Sequence, residues 1–195
     1  MKRQLTLAQY RTIDLASLLL IQTFCQVLMY YAITFWFPEQ LYVASPLAGV
    51  TALVMMRWGP WAAIHAGLGG LIHALLSGGS WEHLLIYGAG SLLSLAAFGM
   101  LWGFGKERVA KSGFLSLAFG ILTQVLMQLG RTLVALLLGM EPRACLGFVT
   151  TDGLSVLLTG LILWIVRRSD GLFEDQIRYL LRLERERQAE RRDGF

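Results

Sequence analysis

Arg131 stands in the middle of an apolar run, Thr123-Gln124-Val125-Leu126-Met127-Gln128-Leu129-Gly130-Arg131. A guanidinium at the centre of a membrane helix costs roughly 2.5–3.5 kcal/mol even on the lenient insertion scale. It is therefore expected to face protein or water and to have a partner. The other charge well inside an apolar segment is Asp152. On the span boundaries below, Arg131 lies roughly 12 Å and Asp152 roughly 9 Å from the same membrane face, at ~1.5 Å of rise per residue. The two sit on sequence-adjacent antiparallel helices, so an ion pair, or a ligand bridging the two, is geometrically reasonable. Gln124, Gln128 and Arg131 follow i, i+4, i+7 spacing and share one helix face. Thr150, Thr151 and Ser155 flank Asp152, and Thr150-Thr151-Asp152 is a candidate unwound stretch. Such a set suits a pocket for a small polar solute; the alternative is an interhelical polar cluster that holds the bundle together.

Other chemistries find less support. His65 and His73 are eight residues apart, too far for an i, i+4 metal face, and no HExxH occurs, so neither metal nor cofactor is expected. His73 is a candidate pocket residue. Trp81 and His83, beside Glu82 in a Gly/Ser-rich outer stretch, suit a lid closing over a bound solute. Gly88-Ala89-Gly90-Ser91 resembles the serine motif of rhomboid proteases, but there the catalytic histidine follows the serine. Here every histidine precedes Ser91. No nucleophile–base pair or nucleotide-binding motif is evident, so the chain does not read as an enzyme.

These groups must be positioned by membrane helices. The chain is 55% hydrophobic and only 15% charged, against about 25% charged in soluble domains. The predicted fold is all-α: six spans over about 13–37, 42–56, 61–76, 84–104, 114–140 and 146–166. This makes a membrane domain over 13–168, preceded by an N-terminal segment, 1–12, and followed by a cytoplasmic tail, 169–195. The first span is too long, and ends in residues too bulky, for a cleaved signal peptide. With both termini cytoplasmic, Lys2, Arg3, Arg11, Arg57, Lys106, Arg108, Lys111 and the tail arginines fall inside and only Arg143 outside. The net charge of +4 therefore follows membrane topology and does not point to nucleic acid. Cys25 and Cys145 form no metal or disulfide pattern. After Arg167-Arg168, Asp170 is placed to cap an amphipathic helix lying on the membrane or a partner, with Glu174 and Arg178 as an i, i+4 pair.

Ala44-Ser45-Pro46-Leu47-Ala48-Gly49, Arg57-Trp58-Gly59-Pro60, Ile86-Tyr87-Gly88-Ala89-Gly90-Ser91, Met127-Gln128-Leu129-Gly130-Arg131 and Thr150-Thr151-Asp152-Gly153-Leu154-Ser155 form a pattern over roughly 42–168. It resembles the substrate-binding S components of energy-coupling factor (ECF) transporters, in an uncharacterised subgroup. The resemblance implies an outward-opening pocket lined by the last three helices, with Tyr87 added to the binding set. It implies covering loops, here Pro38–Leu41 and Ser77–His83. It also implies a transmembrane coupling subunit with two ATPases as partners, and vitamin-like solutes as cargo. The family's Ala-x-x-x-Ala contact in the first span is not matched, since Ala16 and Ser17 are followed by Leu20 and Ile21.

Overall fold

The computed structural model describes residues 6–38 and 44–193, all-helical with no strand among them. Five helical stretches are long and apolar enough to cross a membrane: Leu7–Trp36, Leu47–Leu76, Trp81–Phe104, Gly113–Leu137 and Pro142–Val166.

Helix α1 (Leu7–Trp36) begins earlier than the apolar run because Thr6 and Gln9 form a reciprocal capping box. The box satisfies otherwise orphaned backbone donors at the helix start and brings Asp14 inside the helix. Only Leu15, Gln22 and Gln26 of α1 are buried, so this helix lies at the edge of the bundle. Leu20, Phe24, Leu28 and Phe35 face outward.

The second and third expected spans form one apolar stretch, broken where Gly59 takes φ 65° and a short 3₁₀ turn carries Pro60. Helix α2 (Leu47–Trp58) and helix α3 (Ala62–Leu76) are 12 and 15 residues long, about 18 and 22 Å at ~1.5 Å per residue. Each is short of the roughly 30 Å hydrocarbon core. The arms fold against each other, for Leu47 at the start of α2 occupies the space beside Gly69 of α3. All of α2 is buried, making it the centre of the bundle.

The fourth stretch is not one regular helix. Helix α4 (Trp81–Gly88) gives way to an eight-residue 3₁₀ segment, Gly90–Ala97, before α5 (Phe98–Phe104). Runs of 3₁₀ beyond three or four residues are uncommon. This one lies where Gly90 meets Gly130, and a Cβ on either glycine would collide with the backbone of the other's helix. After α6 (Lys106–Lys111), helix α7 (Gly113–Leu137) runs through the bundle with a buried stripe at 116, 119/120, 123/124, 127/128, 130/131 and 135. Those steps of three and four are one helix face. It carries both the close-packing glycines and the polar row.

The last apolar stretch is divided into α8 (Pro142–Cys145), α9 (Gly147–Thr150) and α10 (Gly153–Val166), with the helix interrupted at Thr151-Asp152. The tail helix α11 (Gln176–Asp193) starts later than expected. Asp175, not Asp170, accepts from the backbone N–H groups of Ile177 and Arg178. Glu174 precedes the helix and pairs with Arg182 at 3.5 Å, not with Arg178. Tyr10 donates to Gln176 Oε1 at 3.2 Å, so the start of α1 and the chain after α10 meet at one end of the bundle.

Candidate functional site

Helix α7 turns Gln124, Gln128 and Arg131 inward on one face, and all three are buried. Asp152 is buried opposite them at the start of α10. A carboxylate there sits at the positive end of the helix dipole, yet it does not cap its own helix. Instead it accepts from the Gln124 amide, tying α7 to α10. Asp152 Oδ1 has no hydrogen-bond partner.

Arg131 forms no ion pair with Asp152 or with any other described acid. Its guanidinium, 3% exposed, is met by neutral groups. Nε donates to Ser91 Oγ at 3.2 Å, Nη1 to Gln128 Oε1 at 3.4 Å and Nη2 to Met127 Sδ at 3.4 Å. Its Cζ stands 4.7 Å from the centre of the Tyr87 ring, within cation–π range. Two opposite charges thus share one buried polar row, each held by uncharged neighbours.

Tyr87 is the hub of the outer part of the site. Its ring lies 4.9 Å from His73, 6.3 Å from His83 and 5.9 Å from Phe148. A cavity of about 230 Å³ opens beside it, walled by Gln26, Tyr30, Thr34, His73, Ser77 and Tyr87 among others. The structure therefore gathers Gln124, Gln128, Arg131 and Asp152 in one row and His73, His83 and Tyr87 around one ring. The cavity lies between α1, α3 and α4, not within the last three helices.

Thr150 and Thr151 do not join the row. Their hydroxyls donate to the carbonyls of Leu146 and Gly147 one turn back, and Thr150 is exposed. Trp81 and His83 are not on a loop. Ser80 caps α4, so they occupy its first turn, and Trp81 is 61% exposed. Of the expected covering segment 38–41, residues 39–41 lie outside the described residues.

Two sets of buried and half-buried polar groups were not apparent from the sequence. Asp14 and Arg57 form a bidentate pair at 3.0 and 2.7 Å. The Trp58 indole N–H also donates to Asp14, while Arg57 Nη1 donates to the carbonyls of Gly171 and Leu172. Asp14 and Arg57 also match in depth, since Asp14 opens one span and Arg57 closes the next. The second set joins α1 to α3. The Gln22 and Gln26 amides donate to the carbonyls of His65 and Gly69, a four-residue repeat on both helices. Both glutamine Oε1 atoms and both ring nitrogens of His65 lack hydrogen-bond partners.

Among the described residues no three His, Cys, Asp or Glu side chains are grouped to hold a metal ion. No family model, curated protein or solved structure matches this chain.

Proposed function

We propose that this is a multi-pass cell-membrane protein that captures a solute through a polar group held near Arg131, in the manner of an ECF S component. The observation that carries the reading is the Arg131 guanidinium itself, buried inside an apolar helix, hydrogen-bonded only to neutral groups and in no ion pair. A charge so placed is a functional-site hypothesis by default. A solute carbonyl or anionic group would complete its shell, with Gln128 and Asp152 adding directional hydrogen bonds and the His73–Tyr87 cavity forming the approach. The energy for import would come from a separate coupling subunit and its ATPase pair.

Six crossings with both termini cytoplasmic fit this reading. Tyr10 and Gln176 share one end of the bundle, which supports an even number of crossings. Six crossings require Leu47–Leu76, folded back at Gly59, to cross twice, and its short arms do so only where the bilayer thins locally or flanking residues complete each span. Lys and Arg placement then puts both termini inside.

The test is mass spectrometry of small molecules carried through purification in mild detergent. A compound retained by the native protein, and lost from Arg131→Ala that keeps its thermal transition, is expected. Arg131→Lys, which keeps the charge without the planar fork, should retain only part of it. No compound in any sample, before or after incubation with membrane-permeant and medium metabolites, would sink the reading.

A second reading has its own observation. Arg131 Nε bonds Ser91 beside the Gly130–Gly90 contact, so the guanidinium would be a structural pin in a non-transporting subunit. In that case Arg131→Ala should lower stability and no compound should be Arg131-dependent.

A further inference from the structure

The apolar stretch Trp81–Phe104 carries Tyr87 near one end and opens onto a charged hollow at the other. Gly105 takes φ 80°, a left-handed conformation that only glycine adopts at little cost, and turns the chain out of α5 into α6. Val109 of α6 is buried, and Ser116 Oγ of α7 donates to its carbonyl at 2.6 Å, which fixes α6 against α7. Phe173 is 2% exposed in the same apolar core as Val109, so the chain leading into α11 is anchored beside α6. Between them lies an open hollow of about 1030 Å³. Its walls come from within 101–112 and from Asp175 and Arg178, all of them described residues.

The walls are of two kinds. On one side Trp102 and Phe104 close α5, 84% and 50% exposed. An indole at the end of an apolar helix is a membrane-interface anchor. On the other side Lys106, Arg108, Lys111 and Arg178 outnumber Glu107 and Asp175. Both acids are engaged by lysines: Asp175 accepts from Lys106 and Glu107 from Lys111, each at 2.7 Å. Arg108 and Arg178 form no ion pair with a described residue, and both are exposed. Arg178 nonetheless faces α6: after the Lys111 hydrogen bond and charge, its own charge helps to hold the Glu107 carboxyl below 4.5. Two uncommitted guanidinium groups from distant parts of the chain therefore line one hollow, beside aromatic rings that continue a membrane helix.

We infer that this hollow holds the head of an anionic phospholipid. The phosphate lies between Arg108 and Arg178, whose planar donors suit phosphate oxygens, and the acyl chains run past Trp102 and Phe104 into the bilayer. The aromatic wall decides among anions, because a free phosphate or an acidic protein segment has no counterpart for exposed rings at the end of a membrane span. Basic pockets at the ends of membrane helices suit phosphate-bearing lipid heads. A lipid so held clamps α11 against α6. The site lies at the other end of Trp81–Phe104 from Tyr87, so the inference goes beyond the capture reading and does not rest on it.

The probe is dioleoyl phosphatidylglycerol, titrated into the full chain in an uncharged detergent and followed by native mass spectrometry. Dioleoyl phosphatidylcholine, with the same chains, inorganic phosphate and hexaglutamate are run beside it. A saturable one-to-one phosphatidylglycerol adduct is expected, bound at least about tenfold more tightly than phosphatidylcholine and not displaced by excess inorganic phosphate. Arg108→Gln and Arg178→Gln should each weaken it about tenfold, the equivalent of 1.4 kcal/mol. Both side chains are exposed and unpaired, so these variants should keep the native thermal transition. Arg168→Gln removes the same charge from the same end of the bundle but outside the hollow, where Arg168 stacks on Trp164, and should leave the adduct unchanged. Equal binding of the two lipids would identify annular lipid, and an equal loss in Arg168→Gln would identify a diffuse surface charge. Displacement by inorganic phosphate would identify a small-anion site. Hexaglutamate bound one-to-one with no phosphatidylglycerol adduct would assign the hollow to an acidic protein segment. Each of these four outcomes, or no adduct at all, would overturn the inference and leave the Arg131 reading untouched.

Discussion

Both carboxylate oxygens of Asp14 are engaged by the guanidinium of Arg57, at 3.0 and 2.7 Å, with Arg57 5% exposed. The same guanidinium reaches the carbonyls of Gly171 and Leu172, so one side chain joins α1, the end of α2 and the segment after α10. With Asp14 18% exposed, removing Arg57 leaves a half-buried charge unpaired, at a cost of about 2–4 kcal/mol, below that of a fully buried pair. Arg57→Ala should therefore lower unfolding free energy in detergent by about that amount. Arg57→Lys should recover only part of the loss, because an ammonium cannot reproduce the fork. Denaturant titration of the three proteins checks this. An Arg57→Ala protein within about 1 kcal/mol of the native one, the usual limit for an exposed pair, would refute it.

Gln124 and Asp152 are hydrogen-bonded across α7 and α10, whereas Arg131 and Asp152 form no ion pair. Coupling between contacting residues is about 0.5–3 kcal/mol and falls toward additivity without contact. A double-mutant cycle on Gln124→Leu and Asp152→Asn should give a coupling energy in that range. The cycle on Arg131→Gln and Asp152→Asn should give a smaller one. Exchanging the charges, Arg131→Asp with Asp152→Arg, should accordingly fail to restore the native thermal transition, since there is no direct pair to re-form.

At Gly130 and Gly90 two helical segments meet backbone to backbone. Adding a methyl group to either drives a Cβ into the opposing backbone, with Arg131 Cα 2.7 Å from the position of a Gly90 Cβ. Backbone cannot rotate away as a side chain can, so Gly130→Ala and Gly90→Ala should each cost about 1–3 kcal/mol. Gly147→Ala, where nothing lies within 4 Å, is the control and should be neutral or slightly stabilising. Because Gly130 precedes Arg131, the two costly variants should also reduce any Arg131-dependent ligand retention.

What the sequence made legible was periodic. Gln124, Gln128 and Arg131 recur on one face, and the helix delivers them to one row. Asp152 was legible as a charge in an apolar run, and the break at Thr151-Asp152 as a polar interruption. The partners of Arg131 were not, because Ser91 and Tyr87 reach it only through the Gly90–Gly130 contact, which no local pattern encodes. Arg57 read as a loop charge because it closes a span, yet the fold-back at Gly59 buries it. Trp81 read as a lid because of the Gly/Ser stretch before it. Ser80 instead starts a helix there and fixes the indole on its surface.

In α6, Lys111 donates to Glu107 at 2.7 Å, one helical turn apart. That hydrogen bond holds the Glu107 carboxyl below its ordinary value of 4.5 and raises the Lys111 ammonium above 10.5. The sign follows: a depressed carboxylate contributes above its unfolded value, and the contribution is lost as pH falls through the folded value. Carbon-detected NMR titration should show Glu107 protonating below the ordinary glutamate range, and returning toward it in Lys111→Met. Both groups are largely exposed, so the thermal transition of Lys111→Met should stay close to that of the native protein.

Topology gives the broadest test. Tyr10 and Gln176 meet at one end of the bundle, while Ser80 caps a helix whose first turn approaches Tyr87. With Cys25 and Cys145 replaced by alanine, Ser80→Cys should react in intact cells with a membrane-impermeant maleimide. Ser169→Cys should react only after the membrane is opened. Labelling of both from outside would contradict three crossings between them, by Trp81–Phe104, Gly113–Leu137 and Pro142–Val166, and with it the proposed topology. Labelling of Ser169→Cys alone from outside would keep the three crossings between the probes but invert them, placing the Arg131 row on the cytoplasmic half and turning capture from outside into capture from within.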